Sequence, residues 1–175
     1  MRVLLSLAAL AVAACGPSEE ASAEASEPVP LLAPFALAPV GADADPLAQH
    51  RPDEIDCPPA AWGPEGGGFE VQTGVCNYAS FDQPLSATLK AGDTLNIVVW
   101  HDTLDFAEPT LGHVAVWVGS AVVWEAEVAI PAASGLFDVS VPIEATPTAD
   151  ARLGLHVRNH GYNSWRFVAV DLLRP

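Results

Sequence analysis

From residue 69 onward the chain is a succession of short runs rich in Val, Ile, Phe, Trp and Thr, separated by Gly, Pro, Asp and Ser at intervals of about ten to fifteen residues. The runs are FEVQT, VCNYAS, PLSATL, TLNIVVWHD, HVAVWVG, AVVWEAEVAI, LFDVSV, RLGLHVRN and SWRFVAVDLL. Runs of this length are too short for ordinary helices and suit strands, and strands punctuated at this spacing form antiparallel sheets. The expected fold is all-β: an antiparallel two-sheet sandwich of jelly-roll type with about eight or nine strands, occupying residues 57–175. Lys90-Ala91-Gly92-Asp93 before TLNIVVW is one turn signal, and Gly119-Ser120 between HVAVWV and AVVWEAEV is a two-residue hairpin loop.

That hairpin sets an expected register. Val118 pairs with Ala121, Trp117 with Val122, Ala115 with Trp124 and His113 with Ala126, which makes Trp117 and Trp124 diagonal neighbours on one face. The other face carries Val114, Val116, Val118, Ala121 and Val123 before Glu125 and Glu127. Both faces are largely apolar, yet a two-layer sandwich buries only one. Two assignments stay open. Either the valines form the core layer and His113, Trp117 and Trp124 sit on a semi-exposed face, or the tryptophans are core and the valines lie beneath the preceding segment.

The N-terminus reads as an address. MRVLLSLAALAVAACG places Arg2 before an apolar run, Val3 to Ala14, that is shorter than the roughly 20 residues a membrane-spanning helix needs. It is expected to be a signal peptide, residues 1–14. Its end, Val12-Ala13-Ala14-Cys15, resembles the lipobox of bacterial lipoproteins. That resemblance implies that Cys15 becomes the acylated N-terminus and the membrane anchor. Gly16 follows where many retained lipoproteins have Asp, so an outer-membrane location in the cell envelope is expected.

Residues 15–56 are rich in Ala, Pro, Ser and Glu, show no strand or helix period, and carry a net charge of about −8. Such a segment has little apolar surface to offset its chain entropy and is expected to be a disordered, lipid-anchored tether. Leu31 to Leu37 is its apolar exception, expected as a sticky stretch of linker rather than a docked one. Residues 57–175 add a similar net charge, giving −15 overall with a single lysine. That balance excludes nucleic acid and anionic lipid surfaces, which are held through phosphate-neutralising cations. With Cys15 acylated, Cys57 and Cys76 remain as an even pair in an exported chain and are expected to form a disulfide.

The runs LSATLKAGDTLNIVVWHD, VWVGSAVVWEAEVAIP and GLHVRNHGYNSWRFVAVDL, over residues 68–173, resemble the galactose-binding-domain-like sandwiches that include many carbohydrate-binding modules. The resemblance implies a non-catalytic module binding a glycan or a partner protein, often with a structural calcium at one edge. No other cofactor is expected. Asp102, Asp105 and Glu108, in HDTLDFAEP, form a carboxylate-rich loop with the hard oxygens calcium prefers, although a solvated acidic loop is the more common outcome.

In LHVRNHGYNSW, strand geometry sends His156, Arg158 and His160 to one side. His156 and His160 would then stand about 13 Å apart, too far to share a zinc ion. His160-Gly161-Tyr162-Asn163 has the composition of a tight turn. Two readings stay open here, a plain turn and a polar patch beside Trp100 or Trp165. The candidate ligand-binding residues are therefore Trp117, Trp124, His113, His156, Arg158 and His160. No G-x-S-x-G, H-E-x-x-H or phosphate-cradling glycine loop is present. The alternatives to a binding module are a metal-dependent enzyme using His101, His113 and His156, a carboxylate-pair hydrolase drawn from Asp102, Asp105, Glu125 and Glu127, and a structural envelope lipoprotein.

Overall fold

The computed structural model describes residues 26–159 and 161–174. Cys15, the leader and His160 lie outside the described residues. Nine strands of four to ten residues make up two antiparallel sheets, and two two-residue pairings from the N-terminal segment extend them. In chain order the strands are β1 (Val29–Pro30), β2 (Ala38–Pro39), β3 (Trp62–Glu65), β4 (Gly68–Gln72), β5 (Tyr78–Pro84), β6 (Thr94–His101), β7 (Thr110–Val118), β8 (Ala121–Ile130), β9 (Gly135–Pro142), β10 (Arg152–Arg158) and β11 (Ser164–Leu173). The first sheet runs β3-β4-β11-β6-β9, with β1 also on β11. The second runs β2-β5-β10-β7-β8.

The alternation in the sequence explains the layers. In β6, TLNIVVWH, every second residue is buried: Leu95, Ile97, Val99 and His101 face the other sheet, while Thr94, Asn96, Val98 and Trp100 face out. The same inner layer takes Phe69, Val71, Trp165, Phe167 and Val170 from the first sheet. The second sheet contributes Phe81, Val114, Val116, Leu153, Leu155 and Val157. Of the two assignments for the β7–β8 hairpin, the first holds only for Val114, Val116 and Val118, which take the core layer; His113 and Trp117 are not semi-exposed but buried on the other face.

The expected register fails partway along that hairpin. Val118 pairs with Ala121 and Trp117 with Val122, as the two-residue loop requires, but a bulge between Val116 and Trp117 then shifts the ladder. Ala115 pairs with Glu125 and His113 with Glu127, and Trp124 comes opposite Val116. One extra residue, Val123, turns Trp124 to the inner face, because side chains alternate with period two and a one-residue slip reverses them. Trp117 and Trp124 therefore lie on opposite faces, Trp124 half-buried edge-on against Phe137.

Strands β7 and β10 are buried on both faces. The cover over their outer face is the second correction, since residues 26–56 are not a free tether. Leu31 is fully buried in the core, its amide donating to the Val170 carbonyl, and Gln83 bridges to this stretch from β5 through the Leu31 carbonyl and the Ala33 amide. From there the chain crosses to β2 on the edge of the second sheet and then lies across that sheet's outer face. Leu47, 1% exposed, packs there on Ala115 and Trp117, with Val40 beside it. The expectation of disorder failed because the segment's few anchoring side chains are too widely spaced to make a period. The Cys57–Cys76 disulfide then ties the end of the segment to the entry of β5, closing 19 residues of chain.

Leu47→Ala is expected to lower stability by about 2–4 kcal/mol, as for a buried leucine. The same change in an unattached linker would cost less than about 0.5 kcal/mol. A urea melt of the variant separates the two.

Candidate functional site

The segment over the second sheet, called the strap below (residues 38–51), is held by one carboxylate. Asp45 is 7% exposed. Its Oδ1 accepts from the Leu47 amide at 2.9 Å and from the Ser80 hydroxyl at 3.1 Å, while its Oδ2 accepts from the Tyr78 hydroxyl and from Arg51 Nη1 at 3.2 Å. The Arg51 guanidinium also lies 5.0 Å over the Tyr78 ring. Burial, with the hydrogen bond to Asp45 added, raises the Tyr78 pKa, so the phenol stays a donor.

Beneath the strap lie four of the six sequence-predicted ligand residues. His113, Trp117, His156 and Arg158 share the outer face of β7 and β10, as their strand positions imply. That face is not a platform. Trp117 is 2% exposed, and its indole lies flat across Gly154, where a Cβ would overlap the ring. His113 and His156 are buried as well. Trp124 is on the inner face and His160 lies outside the described residues. The predicted set thus holds together in part but is closed to a large ligand by the chain's own N-terminal segment.

The remaining candidates do not assemble. His101 belongs to the other sheet, buried against Trp165 at 4.7 Å between ring centres, with its Nδ1 2.8 Å from the Asp102 carbonyl. It does not join His113 and His156. Asp102 is half-buried with Oδ1 accepting from the Thr103 amide, while Asp105 and Glu108 are exposed. Among the described residues no three His, Cys, Asp or Glu side chains converge to hold an ion. Glu125 and Glu127 face outward from the second sheet, whereas Asp102 follows β6 of the first, so the four carboxylates are divided between the two sheets. In LHVRNHGYNSW, His156 and Arg158 share a sheet face, but His156 is buried on the second sheet whereas Trp100 and Trp165 belong to the first, so the two residues form no patch beside either ring. Of the expected turn, Gly161–Asn163 are described, and Asn163 takes φ 116°.

Among the described residues no segment lies over the outer face of the first sheet as the strap does over the second. The first sheet's pairings set Glu70, Arg166, Trp100 and Leu136 in one row across β4, β11, β6 and β9. The Arg166 guanidinium sits 5.9 Å over the half-exposed Trp100 ring. It also donates to Glu70 at 2.9 Å and lies 3.4 Å from Glu65. Burial acts to raise the Glu70 pKa, but hydrogen bonds from Arg166 and Ser164 outweigh it and hold the carboxyl below its usual value. Beside this row stand the Val98–Asp138 and Asn96–Ser140 pairs, with Leu136 and Val168 exposed. Trp100, named from the sequence only as a possible neighbour of the histidine patch, is turned outward by the alternation of β6. Arg166 and Glu70 were not singled out, because only the pairing of three strands brings them to the ring.

No protein-family model matches the chain, and no curated protein does. Among solved structures it is similar to a CBM4 protein (TM-score 0.40, 14% identity, covering 69% of this chain and 77% of that one). It is similar at the same score and identity to a family 16 carbohydrate-binding module, covering 69% of this chain and 85% of that one. It is also similar to an arabinose-bound α-L-arabinofuranosidase (TM-score 0.40, 10% identity), covering 79% of this chain but only 26% of that one. These likenesses are too distant to bear on function, which rests on the residues above.

Trp117→Ala is expected to cost about 3–5 kcal/mol through lost burial and the cavity left behind. Trp100→Ala, on the open face, is expected to cost no more than about 1 kcal/mol. Paired denaturant melts check the contrast.

Proposed function

We propose that the protein is a non-catalytic binding module of the cell envelope, anchored through acylated Cys15, and that its ligand is a neutral glycan taken on the outer face of the first sheet. The row Glu70–Arg166–Trp100 carries the reading. A sugar ring offers a patch of C–H groups on one face and hydroxyls at its edge. An indole stacks against the first, and planar carboxylate, guanidinium and amide groups bind the second in pairs. Trp100 supplies the ring, Arg166 and Glu70 the planar groups already held in place by each other, and Asn96 and Ser140 further hydrogen-bonding groups on the same face. The chain's charge of −15 disfavours acidic polymers and favours an uncharged one.

A screen of neutral and acidic glycans against the purified protein is expected to find a neutral ligand, with Trp100→Ala weakening it at least tenfold at nearly unchanged stability. A glycan bound equally well by Trp100→Ala would contradict the site, and binding of acidic glycans alone would contradict the ligand class.

The anchor has its own test. Two acyl chains, at about 0.8 kcal/mol per buried CH₂, suffice for stable membrane attachment. No helix among the described residues is long and apolar enough to cross a membrane. Cys15→Ser is therefore expected to move the protein into the soluble fraction, and continued membrane partition of that variant would contradict lipid anchoring.

A further inference from the structure

Three imidazoles from three elements meet under the strap: His50 at the end of the turn Ala48–His50, His113 on β7 and His156 on β10. Their ring centres are 4.2 Å (His50–His113), 5.2 Å (His113–His156) and 5.8 Å (His50–His156) apart. Their nitrogens are not spent on one another. His113 Nε2 lies 3.1 Å from Glu125 Oε2 and donates to it, which leaves Nδ1 as a buried lone pair without a partner. His156 is 0% exposed and neither of its ring nitrogens has a partner. An unpaired buried polar atom is costly, and three of them lie together here.

The spacing suits a metal ion. With a zinc–nitrogen bond of about 2.0–2.1 Å, tetrahedral geometry puts imidazole centres about 5 Å apart. Two of the three observed separations have that size, and they share His156. A carboxylate on the far nitrogen of a ligating histidine is the usual support for such a ligand, fixing its tautomer and ring orientation, and Glu125 stands in that place on His113.

We propose that His50, His113 and His156 bind one divalent transition-metal ion of the zinc class, which clips the strap to the second sheet. In the conformation described, His50 lies stacked on His113 at 9° between ring planes, so the three donors do not yet converge. Binding turns the half-buried His50 ring, which lies on the strap, while the two sheet histidines keep their places. Arg51 and Arg158 nearby oppose a cation, and Glu125, Glu127 and Asp45 offset them.

The test uses the untagged, chelator-stripped full chain at neutral pH, titrated calorimetrically with zinc and followed in the visible with cobalt(II). One ion per chain, the intense absorption of tetrahedral cobalt and a raised thermal midpoint with zinc are expected. His50→Ala should weaken binding at least 100-fold while leaving the metal-free protein folded, and Glu125→Gln should weaken it about tenfold, the effect of losing an outer-shell partner. No binding, octahedral cobalt, or equal affinity in His50→Ala would overturn the proposal. His156→Asn, compared by circular dichroism, checks the sheet side: if it folds and still binds zinc like the wild type, the site is not this one.

Discussion

The carboxylate of Asp45 is the contact on which the rest of the arrangement depends. A buried carboxylate is costly unless hydrogen bonds and an opposite charge compensate it. Here a backbone amide, two hydroxyls and Arg51 do so, and the hydroxyls come from Tyr78 and Ser80 of β5. The strap is thereby fixed to the second sheet at a polar point, beside which Leu47 and Val40 cover Trp117 and Ala115. Of the two apolar faces that β7 presents, one is closed by the opposing sheet and the other by the strap. The outer face of the first sheet has no such cover among the described residues.

The strand pattern was legible because it depends on alternation alone. TLNIVVWH shows its two faces directly, and so does LFDVSV. The β7–β8 register was legible only as far as the loop geometry reaches. Beyond Trp117 a bulge takes over, and no residue between Trp117 and Glu125 announces it. The strap was illegible for a different reason. The buried residues of the N-terminal segment that contains it, Leu31, Leu37, Asp45 and Leu47, are scattered among exposed Ala, Pro and acidic residues, so local composition matches a solvated linker. What orders them is long-range: Gln83 for Leu31, and Tyr78 and Ser80 for Asp45.

The histidines show the same limit. Strand parity groups His156 with Arg158, and the two share a face; only the β7–β10 pairing adds His113 to them. His101 was grouped with them only by residue type, and it belongs to the opposite sheet, wedged against Trp165 and beneath Gly135. The third imidazole of the cluster is instead His50, in the segment expected to be free. The imidazole cluster is thus assembled by the N-terminal segment as much as by the sandwich. That coupling explains why Trp117, attractive as a binding aromatic in the sequence, is a packing residue, while Trp100 on the open face is not.

The central claim, that residues 38–51 are part of the fold, is tested most directly by native-state hydrogen exchange. The amides of Val40, Leu47 and His50 donate to the Ser80 carbonyl, the Asp45 carboxylate and the Leu47 carbonyl respectively. They are predicted to exchange orders of magnitude more slowly than an unstructured peptide, and Asp45→Ala is predicted to release all three together. Exchange at the unprotected rate in the wild-type protein would contradict the account.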